Sequence, residues 1–490
     1  MPSSFLPALS ILGTIVMAFA LTMGVPLAVA WFGHDEALAS WHVGMALTFG
    51  AGVVMRLLAR RHRRELQPRD GVMLVSLVWT VLPLFASVPL MVYFRQAGTP
   101  LSFTDAYFEA MSGLTTTGAT VLSGLDALPR SINLWRCFMQ WMGGMGILVL
   151  AVAILPMLGV GGSQLFRAEV AGPMKDTKLT PRITETAKGL WSIYCVLSLL
   201  CVLAYRAAGM SWYDAWVHMF TTVSLGGLSS YDASFGHFDS PLIEAVCVVF
   251  MLVASCNFAM YFVAVRKRSL QRLWADPETR GTLGLLLGSS VIVAGLLWSK
   301  GVYDEPWQAV RMAFFNVISI ATTTGYANTD YAQWPIFAPV LMLMLSGLST
   351  SAGSTGAGIK MVRVLILLKQ AAREMTRIVH PRAVQPVTLG SSTVDNHTIF
   401  AVLGFMLVYG ATIIGLTMLL LLTDLDVITA FTAVVASVNN MGPGLGSVGP
   451  AGNFSVLSDF QTWVCTLAML LGRLEMLSFM VLLTPSFWRK

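Results

Sequence analysis

Ten stretches of this chain are apolar enough, for long enough, to cross a lipid bilayer, and no other property limits its fold as strongly. A hydrocarbon core about 30 Å thick takes about 20 apolar residues of helix to span. The stretches lie near residues 6–32, 42–58, 71–94, 133–158, 188–208, 240–265, 281–299, 335–370, 397–422 and 459–485. Of the 490 residues only 11% are Asp, Glu, Lys or Arg, whereas an ordinary soluble domain carries about 25%. A soluble enzyme is excluded; the chain reads as an all-α polytopic membrane protein. The first stretch lacks a basic leader and exceeds the apolar part of a signal peptide, so it is expected to stay as a span.

The six cysteines all fall in apolar runs without a Cys-x-x-Cys pair, and the seven histidines show no metal-ligand spacing. Neither a disulfide framework nor a zinc site is expected. The formal charge of +6 matters less than where it sits. Basic residues gather in alternate connections: Arg56, Arg60, Arg61, Arg63, Arg64 and Arg69; Arg167, Lys175, Lys178 and Arg182; Arg266, Lys267, Arg268, Arg272 and Arg280; Lys360, Arg363, Lys369, Arg373, Arg377 and Arg382; and Arg489-Lys490. The intervening connections are nearly free of them. By the positive-inside rule the basic set faces the cytoplasm, with both termini inside. No nucleic-acid partner is implied.

Four shorter apolar segments, 103–114, 213–223, 307–321 and 426–438, are too short to span and lead into glycine tracts. The tracts are Thr115-Thr116-Thr117-Gly118-Ala119, Ser224-Leu225-Gly226-Gly227-Leu228, Thr322-Thr323-Thr324-Gly325-Tyr326 and Asn439-Asn440-Met441-Gly442-Pro443. In the first two repeats the glycine falls 13 residues after an aspartate, Asp105 or Asp214. Short non-spanning helices at glycine-rich breaks are candidates for re-entrant segments. The chain therefore divides into residues 1–70, with two N-terminal membrane helices and a basic loop, and four span–pore helix–span repeats: 71–182, 183–280, 281–394 and 395–490. Backbone that leaves helical form within a membrane must bury its polar groups in protein or line a watery path. Four such tracts can surround one axis as a central ion pore, offering carbonyl oxygens in place of a cation's hydration shell.

These residues carry a resemblance. Thr115 to Thr120, Gln140-Trp141-Met142-Gly143-Gly144-Met145-Gly146, Ser224 to Gly227, Ala321 to Gly325, Gly353-Ser354-Thr355-Gly356-Ala357-Gly358-Ile359-Lys360, Asn439 to Gly444 and Gly472-Arg473-Leu474-Glu475 resemble the TrkH/TrkG/KtrB family of potassium transporters. The two extra N-terminal spans are similar to the TrkH branch. The resemblance implies a channel-like potassium uptake protein of the bacterial inner membrane, not an enzyme, with K+ as cargo and no organic cofactor. It implies that backbone carbonyls of Thr116, Thr117, Leu225, Gly226, Thr323, Thr324, Asn440 and Met441 coordinate the ion, beside the filter glycines Gly118, Gly227, Gly325 and Gly442. It also implies a homodimer and a cytosolic nucleotide-binding regulatory subunit of the TrkA type. The basic connections are candidate docking surfaces for such a subunit, or equally for anionic lipid.

The eighth stretch is interrupted by Gly347, Gly353, Gly356 and Gly358, each costing helix about 1 kcal/mol relative to Ala. An unwound loop is expected, which the resemblance makes a gate that includes Gly353, Gly356, Gly358 and Lys360. A close helix-packing site is the competing reading. A phosphate loop is not, because Ile359 separates Gly358 from Lys360 and no Ser or Thr follows. Arg473 falls in the middle of the last stretch, where an unpaired charge costs at least about 2.5–3.5 kcal/mol. It is expected to project into the pore as a barrier to cations, or else to form a buried ion pair with another helix. A solute transporter with ionisable residues at its midplane and a membrane-embedded enzyme are the alternative classes. The first has no use for four matching tracts, and the second lacks paired carboxylates, a His cluster or a nucleophile–base arrangement within the spans.

Overall fold

The computed structural model describes residues 2–60, 68–153, 179–269, 271–390 and 392–488. The expected end of the fourth stretch, and Arg61, Arg63, Arg64, Arg167, Lys175, Lys178, Arg489 and Lys490, lie outside the described residues. The N-terminal pair is α1 (Pro2–Thr22) continuing through a break at Met23 into α2 (Gly24–Gly33), followed by α3 (Leu38–Ala59). Repeat one comprises α4 (Pro68–Gln96), α5 (Phe103–Leu114) and α6 (Arg130–Ala153); repeat two comprises α7 (Leu179–Ala207), α8 (Trp212–Val223), α9 (Pro241–Ser255) and α10 (Phe258–Lys267). After the short α11 (Gln271–Ala275), repeat three runs α12 (Pro277–Ser299), α13 (Pro306–Ala321), α14 (Phe337–Leu348) and α15 (Met361–Val379). Repeat four is α16 (Asn396–Leu421), α17 (Val427–Val438) and α18 (Asp459–Arg473), with α19 (Leu477–Met480) and α20 (Pro485–Trp488) behind it. The described strands are one small antiparallel hairpin, Thr388–Leu389 with Ser392–Thr393.

Among the described residues six helices are long and apolar enough to cross a membrane unaided, and α9 with α10 make a seventh as a pair. That pair corrects the expectation of a continuous span over 240–265. The helix bends by 88° at Cys256–Asn257. Asn257 caps α10 by accepting from the Ala259 N–H, and the Phe258 N–H is drawn off to the Gly353 carbonyl. The last span is also discontinuous. It stops at Arg473, and Glu475 and Met476 take left-handed φ of 50° and 52°. Arg473 is therefore at a helix end and not at the centre of a helix.

The four short helices α5, α8, α13 and α17 occupy the four non-spanning segments. Three start on a side-chain cap: Ser102 and Ser211 accept from the N–H groups of Asp105 and Asp214, and Asp426 accepts from the N–H of Thr429. That bond holds the exposed Asp426 carboxyl below its ordinary range. In α13, Pro306 sits in the first turn, where its missing N–H goes unused. All four end identically. The second residue after each helix is left-handed: Thr116, Leu225, Thr323 and Asn440, with φ between 47° and 64°. The next N–H reaches back five residues, Thr117 to Ser112, Gly226 to Thr221, Thr324 to Ser319 and Met441 to Ala436, at 2.8–2.9 Å. This is the wrapped helix terminus that normally needs glycine in the left-handed place. Here Thr, Leu and Asn occupy it, and the glycine comes two residues later.

At the N-terminal pair, Gly13 and Gly52 let α1 and α3 touch backbone to backbone: a Cβ on either would fall within 2.8 Å of the other's carbonyl oxygen. Small residues permit such close crossing in membranes. Gly52→Leu is expected to destabilise the protein by about 1–3 kcal/mol, read as a lower Tm of the detergent-purified chain.

Candidate functional site

The four tract glycines meet. A Cβ built on Gly118 would lie closer than 3.0 Å to the carbonyl oxygen of Gly226, one on Gly227 to that of Thr324, one on Gly325 to that of Met441, and one on Gly442 to that of Thr117. Repeat one abuts two, two abuts three, three abuts four, and four returns to one. The circuit closes. It is also narrow, because the Thr324 oxygen, from the repeat opposite, is 3.6 Å from the point a Gly118 Cβ would occupy. All four glycines are left-handed, with φ of 84°, 74°, 89° and 97° in chain order. Both the approach and the angle exclude a side chain. Four carbonyl oxygens, one from the residue before each glycine, are thus brought together in the circuit. Thr116, Leu225, Thr323 and Asn440 make the turn just before them.

Polar side chains hold the outer limb of the first three tracts to their own helices. Nine residues before the glycine stand Glu109, His218 and Asn316 in the first three repeats. Glu109 accepts from Thr120 Oγ1 at 2.9 Å and from the Val121 N–H at 3.1 Å. His218 Nε2 bonds Ser229 Oγ at 3.0 Å, and Asn316 donates to Asn328 at 2.6 Å. Repeat four has Ala433 there. Glu109 also pairs with Arg136 of α6 at 2.7 Å, both side chains fully buried, and Arg136 goes on to Asn133, Thr120 and the Ser229 carbonyl. The ion pair therefore ties tract one to tract two.

On the side where the short helices end, glycines from the following spans press on them. A Cβ on Gly143 would overlap the Leu114 carbonyl, and one on Gly472 the Val438 carbonyl, the matching position in repeats one and four. In repeat three the equivalent span is the expected unwound segment, Ser349 to Lys360, between α14 and α15. Gly353, Gly358 and Lys360 have positive φ. Thr355 Oγ1 donates to the Val223 carbonyl at the end of α8, the Ala357 N–H donates to Thr323 Oγ1, and Gly356 packs beside the Thr322 carbonyl. The loop thus lies directly against the tracts. Its ends are stapled by Glu278 of α12, whose Oε1 accepts from the Ala352 and Val362 N–H groups. Lys360 turns back to donate to the Gly356 carbonyl.

Arg473 joins these parts. It is 1% exposed, and its guanidinium donates to the Thr355 carbonyl in the loop at 3.3 Å and to the Gly143 carbonyl of α6 at 3.0 Å. Its Nε has no partner among the described residues. The ion pair at this level is a different one: Glu475 binds Arg363 at the start of α15. Arg363 in turn donates to the Ile359 carbonyl and lies over the ring of Phe405.

All the expected tract and loop residues, with Arg473, are therefore gathered within one assembly. Glu109, Arg136 and Glu278 were not anticipated as parts of it, while Glu475 stands there only within the motif 472–475 and Arg363 only in a basic connection. For Arg136 a signal was present, as the one charge in the apolar stretch 133–158, and Glu109 is one of only two charges in the segment 103–114. Glu278 reads in sequence as an ordinary first-turn carboxylate of α12.

A many-helix membrane protein in which four quasi-equivalent backbone tracts close on one axis belongs among the ion-translocating proteins by its construction. A family model described as TrkH, a cation transport protein, matches residues 41–490, and the chain belongs to that family. It is 45% identical to the Trk system potassium uptake protein TrkH of Halomonas elongata, over 98% of this chain and 99% of that protein. It is 36% identical to the Trk system potassium uptake protein TrkG of Escherichia coli, over 97% of each. The fold matches the crystal structure of the potassium transporter TrkH from Vibrio parahaemolyticus with a TM-score of 0.92 at 41% identity, covering 100% of both chains.

Removing one partner of a buried ion pair strands the other and costs about 3–5 kcal/mol. Glu109→Ala is accordingly expected to lower the Tm sharply, whereas the double substitution Glu109→Leu with Arg136→Met recovers much of the loss.

Proposed function

We propose that this chain takes up potassium across the bacterial inner membrane through a channel-like pore, with the glycine-tract ring as its selectivity filter. The observation that carries the reading is the closed circuit of the four glycines, each against the carbonyl of the next repeat. Oxygens of Thr116, Thr117, Leu225, Gly226, Thr323, Thr324, Asn440 and Met441 replace the water shell of a monovalent cation. Four short helices aim their C-terminal, partially negative ends toward the ring, which favours a cation. Voltage is a sufficient driving force. A negative-inside potential of 100 mV supplies about 2.3 kcal/mol per charge, and a tenfold gradient opposes with only about 1.4 kcal/mol.

The loop with Gly353, Gly356, Gly358 and Lys360 is the gate, and Arg473 is the latch that holds it shut. A fixed positive charge 4 Å from a passing cation costs about 4 kcal/mol at an effective dielectric of about 20. Opening then requires Thr355 to leave Arg473 and Val223. The chain works as a homodimer with a cytosolic nucleotide-binding subunit of the TrkA type, and both termini face the cytoplasm.

Proteoliposomes holding the purified chain are expected to take up radiolabelled rubidium down an imposed potential, with potassium competing and sodium competing poorly. Uptake no faster than in empty vesicles, over a range of potentials, would defeat the reading. Arg473→Ala is expected to raise rubidium uptake several-fold in the absence of any partner. Equal or lower uptake by folded protein would remove Arg473 from the barrier.

A further inference from the structure

The second tract differs from the other three at the position just before the converging glycine. Repeats one, three and four place Thr117, Thr324 and Met441 immediately before the converging glycine, whereas repeat two places another glycine, Gly226. Gly226 is absent from the left-handed glycines, so its backbone would accept a side chain. Something else occupies the space. The three atoms nearest to a Cβ built on Gly226 are the carboxamide carbon, oxygen and nitrogen of Gln140, all closer than 3.0 Å.

Gln140 belongs to α6, the second span of repeat one, and is fully buried. Its Nε2 donates to the Gly226 carbonyl at 2.7 Å, and its Oε1 accepts from the Leu228 N–H at 3.1 Å. One carboxamide thus grips the main chain on both sides of Gly227. A carbonyl has two lone pairs, so the Gly226 oxygen keeps one for another partner while the bond fixes its direction. The other tracts brace themselves with side chains of their own. Thr117 Oγ1 bonds Thr115 Oγ1 at 2.7 Å, Thr324 Oγ1 bonds Thr322 Oγ1 at 2.8 Å, and the Asn440 amide donates to Thr117 Oγ1 at 2.9 Å and to the Met469 carbonyl at 3.0 Å. Leu225 and Gly226 have no polar side chain with which to do the same.

We propose that Gln140 is a positioning residue that supplies this brace from the neighbouring repeat, aims the Gly226 carbonyl, and so sets how sharply the ring distinguishes alkali cations. The proposal rests on the ring acting as the filter. Gly226 is then glycine because Gln140 needs the room, not because the backbone demands it. The two residues form a coupled pair across repeats.

The test measures rubidium and sodium uptake separately in proteoliposomes of the full-length chain and its Q140L and Q140E variants, with Tm recorded for each. Q140E keeps the size and the acceptor but loses the donor, and it decides the matter if Q140L does not fold. Loss of one such bond, worth about 1 kcal/mol, is expected to lower the rubidium-to-sodium ratio about three- to tenfold while rubidium uptake persists. G226A is expected to lower the ratio similarly by displacing the amide. In a Q140A background, where the space is vacant, G226A should change the ratio little further. A wild-type ratio in folded Q140E, or strictly additive effects of Q140A and G226A, would overturn the proposal. Wild-type vesicles that carry no rubidium would instead defeat the filter reading on which it stands.

Discussion

The close approach of four stretches of bare main chain sets the terms for the rest of this structure. No side chain fits between Gly118 and Gly226, or at the three equivalent contacts around the circuit. Main chain brought together without side chains has little apolar surface to hold it, and its carbonyls repel one another. Support must come from behind. The wrapped C-termini of α5, α8, α13 and α17 supply part of it, since each fixes the turn residue and then returns an N–H to the helix five residues back. The Glu109–Arg136 pair and the His218–Ser229 and Asn316–Asn328 bonds fix the outward limbs. The Glu109–Arg136 and His218–Ser229 groups are buried and bonded to one another, which is the condition for irregular backbone at membrane depth.

The same demand explains why a span is broken in each of repeats two, three and four. A continuous α9–α10 helix would deny the Gly353 carbonyl its bond to the Phe258 N–H, and a continuous third-repeat span could not bring Thr355 to Val223 and Ala357 to Thr323. Ending α18 at Arg473 frees that side chain to reach two other repeats at once and leaves Glu475 for Arg363. Each break exchanges helix hydrogen bonds for bonds between repeats, so the repeats hold one another through their interruptions.

Much of this was legible in the sequence, and the reason differs from part to part. The short helices stood out because their apolar runs are too brief to span and end in glycine, a local signal. The loop at Ser349 to Lys360 stood out through its glycines. The bend at Cys256–Asn257 and the break after Arg473 did not, because neither contains glycine or proline: Glu475 and Met476 take left-handed angles that only tertiary contacts, such as the pair with Arg363, can enforce. An unbroken helix there puts Arg473 at a helix centre, whereas it stands at the end of α18 and is buried. Charged residues could be flagged one at a time, as Glu109 and Arg136 could, but their pairing depends on how α5 lies against α6. That is a fact of packing, not of pattern.

Arg473 occurs once, although the architecture around it is fourfold. An assembly of four identical subunits would have to carry four guanidinium groups at that level. Their mutual repulsion would oppose the very closeness that the ring requires. Joining the quarters into one polypeptide lets Arg473, the segment Ser349 to Lys360 and Gln140 each act from one quarter on an assembly that is otherwise fourfold. The covalent linkage between quarters is therefore what allows a single guanidinium to bind two other repeats of an assembly that is otherwise fourfold.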